Sequence, residues 1–222
     1  MMLRSLAFAL PLLVAACSEH ERASSSSYPS AGLYTPGSTL GASDPTDTPT
    51  EGAGLGNRCV SLPFGGTPDA GPLGAEGTLT LSYMTRSYDG RYAPKNCTAV
   101  WIETADGAYV ATLELTAALR RPGLVFWQDG ACTEKLGPDA VTSATLRNHD
   151  KLHEVTWTGR DFEGKSVPDG QYVLHIEITE SDKEPGELNS FDITKGPMPY
   201  TMELPVALEG PLAQGTVTWT AQ

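Results

Sequence analysis

The sequence predicts an all-β protein, a two-sheet antiparallel sandwich of about seven or eight strands, and three observations predict it. Apolar residues recur at every second position through most of residues 78–220. The breaks between those runs carry Asp-Gly turns, at Asp89-Gly90, Asp106-Gly107, Asp129-Gly130 and Asp169-Gly170. Only one short stretch has helical character. A period of two puts one face of a strand on a core and the other on solvent. Short alternating strands at regular spacing are the pattern of a sandwich.

The elements follow in order. In Thr78–Tyr83, Leu79, Leu81 and Tyr83 share a face opposite Thr78, Thr80 and Ser82. The Cys97–Thr104 strand turns at Ala105-Asp106-Gly107 into Val110–Leu115, a tight hairpin. There Ala111, Leu113 and Leu115 alternate with Thr112 and Glu114. Thr116–Arg121 is the brief helical stretch, and Pro122 is expected to end it, because proline lacks the amide a helix needs. Glu154–Trp157 is a further strand. Tyr172, Leu174, Ile176 and Ile178 then share one face, with Gln171, His175, Glu177 and Thr179 on the other. Tyr200, Met202, Leu204 and Val206 repeat the pattern, as do Val217 and Trp219.

Ahead of this region the chain has a different character. Residues 1–16 read as a signal peptide: Arg4, then an apolar run ending Val14-Ala15-Ala16-Cys17. A membrane span needs ~20 apolar residues, and this run is shorter. The order aliphatic, small, small, cysteine resembles the lipobox of bacterial lipoproteins, which implies cleavage before Cys17 and lipidation of its thiol. Each buried methylene contributes ~0.8 kcal/mol, so two or three acyl chains hold stably. Ser18, in place of an aspartate, implies the outer membrane by the same resemblance. Residues 17–55 carry that cysteine and a linker. Of the 38 residues Ser18–Leu55, 22 are Ser, Thr, Gly or Pro. Such a segment buries too little apolar surface to offset its ordering entropy and is expected to be a disordered tether, roughly 35 Å long on average. Residues 56–222 form the one domain, of ordinary size.

The full chain carries a formal charge of −12. Without Arg4 it becomes 14 − 27 = −13. So acidic a chain lacks the basic footprint of a nucleic-acid binder. Its membrane contact is expected through the lipid on Cys17.

Two stretches carry a resemblance. The first is Ala99–Leu113, AVWIETADGAYVATL. The second joins Val141–Thr145 to Val155–Tyr172, VTWTGRDFEGKSVPDGQY. Together they resemble the predicted periplasmic proteins of domain of unknown function 2271, over most of residues 78–220. The second stretch is also similar to the Ig-like module of the flagellar hook-cap scaffold protein, which implies an Ig-like sandwich. It departs where relatives have Thr-Gly-Ala-Thr, here Thr142-Ser143-Ala144-Thr145, and at Thr158, where an aspartate is usual. Within it, Trp157 and Tyr172 are expected to plug the core, and Asp161 to bond turn amides. Gly164 and Gly170 are expected to take backbone angles that side chains resist, and Pro168 to stiffen the turn. Neither resemblance implies catalysis.

Chemistry elsewhere is sparse. Cys59, Cys97 and Cys132 allow three pairings, and Cys97–Cys132 is the one expected, with Cys97 in phase with the apolar Ala99 and Trp101. No Cys-x-x-Cys supports thiol redox or haem attachment. His149, Asp150 and His153 lie close in sequence, but two rings four residues apart on a strand stand ~13 Å from each other, and a solvated turn is expected. His175 is expected at the surface. Asp161 with Glu163, and Asp182 with Glu184, lack the spacing of a calcium loop. Asn96-Cys97-Thr98 spells a glycosylation sequon that a bacterial chain would not use. No phosphate loop, Gly-x-Ser-x-Gly or His-Glu-x-x-His occurs.

The reading is a lipid-anchored, non-enzymatic envelope protein with no metal and no cofactor. It would work by binding or scaffolding with an envelope protein partner. The alternative is an accessory protein of an envelope flavin or haem electron-transfer system, suggested by genes that neighbour some relatives.

Overall fold

The structure, a computed structural model, describes residues 59–62, 73–182 and 184–222. The signal peptide, the lipidated Cys17 and the disordered tether expected from the sequence all lie outside the described residues. Among the described residues nine strands form two sheets: β1 (Gly77–Thr85), β2 (Cys97–Thr104), β3 (Tyr109–Thr116), β4 (Val141–Thr142), β5 (His153–Trp157), β6 (Gly170–Thr179), β7 (Glu187–Lys195), β8 (Tyr200–Glu203) and β9 (Leu212–Ala221). One sheet runs β5-β1-β9-β8 and the other β4-β3-β2-β6-β7. All pairings are antiparallel except that of β3 with the two-residue β4.

The alternation read from sequence builds the core between the sheets. Leu79, Leu81 and Tyr83 of β1, and Val217 and Trp219 of β9, meet Val100, Ile102, Leu174, Ile176 and Ile178 of the facing sheet. The strands missing from the sequence reading are the two-residue β4 and the longer β7. Only Phe191 and Ile193 of its apolar residues reach the core, so its alternation is thin.

Two expectations need correction. Leu115 does not share a face with Ala111. Val100 pairs with Glu114 and Trp101 with Thr112, so Leu113 is an extra, unpaired residue, a β-bulge. The bulge resets the phase: Leu115 turns outward beside Ala99, and Glu114 turns into the interior. The helical segment differs too. A 3₁₀ segment spans Ala118–Gly123 with Pro122 inside it, followed by α1 (Val125–Gly130). Arg120 breaks the helical angles, so Pro122 sits in the first turn of a new start, where its missing amide costs nothing.

A second apolar layer covers the outer face of the five-stranded sheet. Cys97, Ala99 and Trp101 of β2 are buried there under Leu124, Trp127, Cys132 and Phe162. This cover explains why β2 is buried on both faces and does not read as a half-exposed strand.

Candidate functional site

Strand direction gives the domain two ends. β2 finishes at Thr104 beside Tyr172 and starts at Cys97 beside Thr179. The motif loop 158–169 therefore lies at one end, with Gly77 of β1. Asn96, Tyr83 and the His149–His153 segment lie at the other.

At the motif end nearly every polar group is used by the fold. Asp161 is 1% exposed, and its Oδ1 accepts the amides of Glu163 and Lys165, both at 2.9 Å. Burial pushes its carboxyl up, and these amides pull it back. Gly159 (φ +73°) and Gly164 (φ +80°) hold the left-handed angles of the turn. Gly170 does not: it opens β6 opposite Lys195 at an ordinary angle with open space around it, so the strained glycine beyond Gly164 is Gly159. Trp157 Nε1 donates to the Arg160 carbonyl at 2.7 Å, and the Tyr172 hydroxyl to the Pro168 carbonyl at 2.7 Å. The two rings meet edge to face at 5.4 Å. Lys195, buried, donates to Asp169 at 2.9 Å and to the Ala75 carbonyl at 2.8 Å. Its ammonium holds the Asp169 carboxyl below the usual range. An open cleft of about 280 Å³ remains beside this network, lined by Glu76, Thr158, Arg160, Ser166, Lys195 and Gln222 among others.

The opposite end holds polar groups that are poorly matched. The Tyr83 hydroxyl donates to Glu114 Oε2 at 2.7 Å inside the sandwich. Burial pushes the Glu114 carboxyl up to about 7, against the pull of that hydrogen bond. Burial, and then Glu114, also raise the Tyr83 phenol. His153 packs its ring on Tyr83 at 5.3 Å, and desolvation lowers its pKa. His153 Nε2 and both side-chain amide atoms of Asn96 are buried without a partner among the described residues. The sequon asparagine is thus enclosed rather than displayed. His149 is held separately, Nδ1 to Thr85 Oγ1 at 2.9 Å and Nε2 to the Pro94 carbonyl at 2.7 Å.

The remaining sequence candidates are distributed widely. Cys132 bonds to Cys59, not to Cys97. Cys59 packs on the buried cluster of the outer layer and bonds Cys132, while Leu62 joins the core between the sheets. Cys97 stays a buried thiol facing the Ala117 carbonyl at 4.0 Å, raised by desolvation. His175 is not a free surface residue. It stacks on Trp101 at 4.9 Å, with Ser190 Oγ at 2.8 Å on one side and Glu103 Oε2 at 3.4 Å on the other. Glu177, predicted on the solvent face, is fully buried and accepts the Phe126 and Trp127 amides of α1 at 3.3 and 2.8 Å. Of the paired carboxylates, Glu163 binds Lys165 at 2.7 Å and Asp182 accepts from the Tyr92 hydroxyl at 2.6 Å, while Glu184 is exposed. Among the described residues no group of three His, Cys, Asp or Glu converges as a metal site.

The Tyr83–Glu114 pair was invisible in the sequence, where Glu114 takes the outward place of an alternating strand. Only the bulge at Leu113 brings it inside, and nothing local announces that bulge. Lys195 closes a run, Phe191-Asp192-Ile193-Thr194-Lys195, whose alternation would have placed it inward had β7 been recognised.

A family model described as "Predicted periplasmic protein (DUF2271)" matches residues 78–195. That span runs from β1 to the end of β7 and contains the motif loop. No curated protein and no solved structure matches the chain. No helix among the described residues is long and apolar enough to cross a membrane.

Proposed function

The chain belongs to the DUF2271 family of predicted periplasmic proteins, and on that premise we propose that it is a lipid-anchored envelope protein whose sandwich acts by binding. The lipid sits on Cys17, in the outer membrane, and residues 18–55 let the domain stand away from the bilayer. The observation that carries the binding role is the state of the motif loop. Asp161, Trp157, Tyr172, Asp169 and Lys195 are all spent on holding the loop, which makes it a rigid wall beside an open cleft. Preformed, immobile walls lose little entropy on association. The motif therefore shapes a surface and leaves no side chain of its own poised for chemistry.

Two measurements on cells test this. Cys17→Ser should move the protein from the membrane fraction to the soluble periplasmic fraction. Retention in the membrane would refute the lipid anchor. Crosslinking in the native envelope, followed by mass spectrometry, should join residues lining the motif cleft to one recurring envelope protein. A flavin or haem absorption band in the purified chain would replace this reading with the electron-transfer one.

A further inference from the structure

A second cavity, of about 300 Å³, opens between the Tyr92–Lys95 turn, the 3₁₀ segment and residues 144–147. It shares no lining residue with the motif cleft. Lys95, Arg120 and Arg147 line it, and no carboxylate of the described residues does. A chain with 15 Lys and Arg against 27 Asp and Glu thus gathers three cations around one pocket. Like charges so placed repel unless a counter-charge lies between them.

Arg120 is the best-held of the three. Its guanidinium lies 4.7 Å from the centre of the Tyr92 ring, and Nη2 donates to the Lys95 carbonyl at 3.2 Å. Tyr92 is itself fixed by donating to Asp182. Nη1 is buried and has no acceptor among the described residues. A charged donor left that way is destabilising, and an anionic oxygen relieves it. Lys95 and Arg147 are exposed and form no ion pair with a described residue. The Ala117 and Ala144 walls are apolar, and Leu119 stands 96% exposed among the cavity's lining residues.

We propose that this pocket binds a phosphate monoester, carried by a soluble molecule or by a phosphatidate headgroup. A tetrahedral dianion offers acceptors in several directions, which suits a guanidinium fork and two exposed cations better than a planar monoanion does. The apolar wall and Leu119 take the part of the ligand attached to the phosphate.

The test is calorimetric titration of the full mature chain in neutral detergent against two probes, inorganic phosphate and dihexanoyl phosphatidic acid, at matched ionic strength. Protein-free micelles supply the blank. Saturable binding near one per chain is expected, weakened at least tenfold in the Lys95→Gln/Arg147→Gln double variant and unchanged in Lys151→Gln. Both replaced side chains are exposed, and circular dichroism checks that the fold is intact. Equal affinity for the two probes assigns the pocket to soluble phosphates, and tighter binding of the lipid assigns it to a headgroup. No saturable binding of either probe, or binding that survives the double variant, overturns the proposal.

Discussion

The two ends of this sandwich are built from the same strands and treat polar groups in opposite ways. At the motif end the buried carboxylate Asp161 and the buried ammonium of Lys195 each meet partners within 3 Å. At the other end Glu114 has one hydroxyl, and the Asn96 side-chain amide, His153 Nε2 and Arg120 Nη1 have no partner among the described residues. Satisfied networks rigidify a fold, whereas unmatched buried groups cost stability that only a ligand or a change of protonation returns. The contrast teaches where to look. The motif end holds the domain together, and the opposite end is where its stability responds to surroundings.

The sharpest way to break this comparison is at Trp157. It is fully buried, packs on Tyr172 and Trp219, and ties the motif loop through Arg160. Trp157→Ala should cost ~3–5 kcal/mol, a fall in Tm of roughly 10 °C for a domain of this size. Thermal unfolding followed by circular dichroism measures it. A loss under 1 kcal/mol would mean that the motif end is not what holds the sandwich.

The Cys59–Cys132 bond separates the outer layer from both ends. It closes a loop of 73 residues, and its removal by Cys132→Ser should cost ~2–4 kcal/mol. Peptide mapping without reduction should recover Cys59 joined to Cys132, and Cys97 alkylated only after unfolding. A Cys97–Cys132 peptide would restore the pairing expected from sequence.

That pairing shows how far the sequence could be read. The sandwich was legible because most strands keep strict alternation, as β1 and β6 do. The motif loop was legible because Asp161 and Gly164 act on residues within four positions of themselves. What failed was everything set by a distant segment. The outer layer buries Glu177 under amides 50 residues away. Cys132 finds its partner across 73 residues. At Leu113 one extra residue reverses the facing of Glu114 and Leu115, and period-two reasoning has no signal for it.

Glu114 makes the opposite end measurable by pH. Its folded pKa, about 7, lies above the ordinary carboxylate value, so between roughly pH 4.5 and 7 the folded state holds more protons than the unfolded one. Stability contributed by the protonated group is full below that window and is lost as pH rises through 7. Glu114→Gln keeps an acceptor for Tyr83 and cannot ionise. It should be more stable than the parent at pH 8, on the order of 2 kcal/mol, and should flatten the decline between pH 5 and 8. Urea melts across that range decide it. An identical decline in the variant would assign the pH response to another group.

Asp161→Asn gives the smallest effect and the finest discrimination between the ends. The amide oxygen can still accept the Glu163 and Lys165 N–H groups that Oδ1 accepts now. What changes is charge: a buried carboxylate, raised by desolvation, becomes neutral. Losing charge-assisted bonds costs stability, and losing a desolvated charge restores some, so the net should stay within ~1 kcal/mol. Asp161→Ala removes the acceptor itself and should cost ~1–3 kcal/mol by leaving two turn amides unpaired. A large gap between the two variants places the value of this residue in geometry, as in a turn whose task is to hold a wall. Equal losses would place it in charge, and the motif end would then resemble the opposite one.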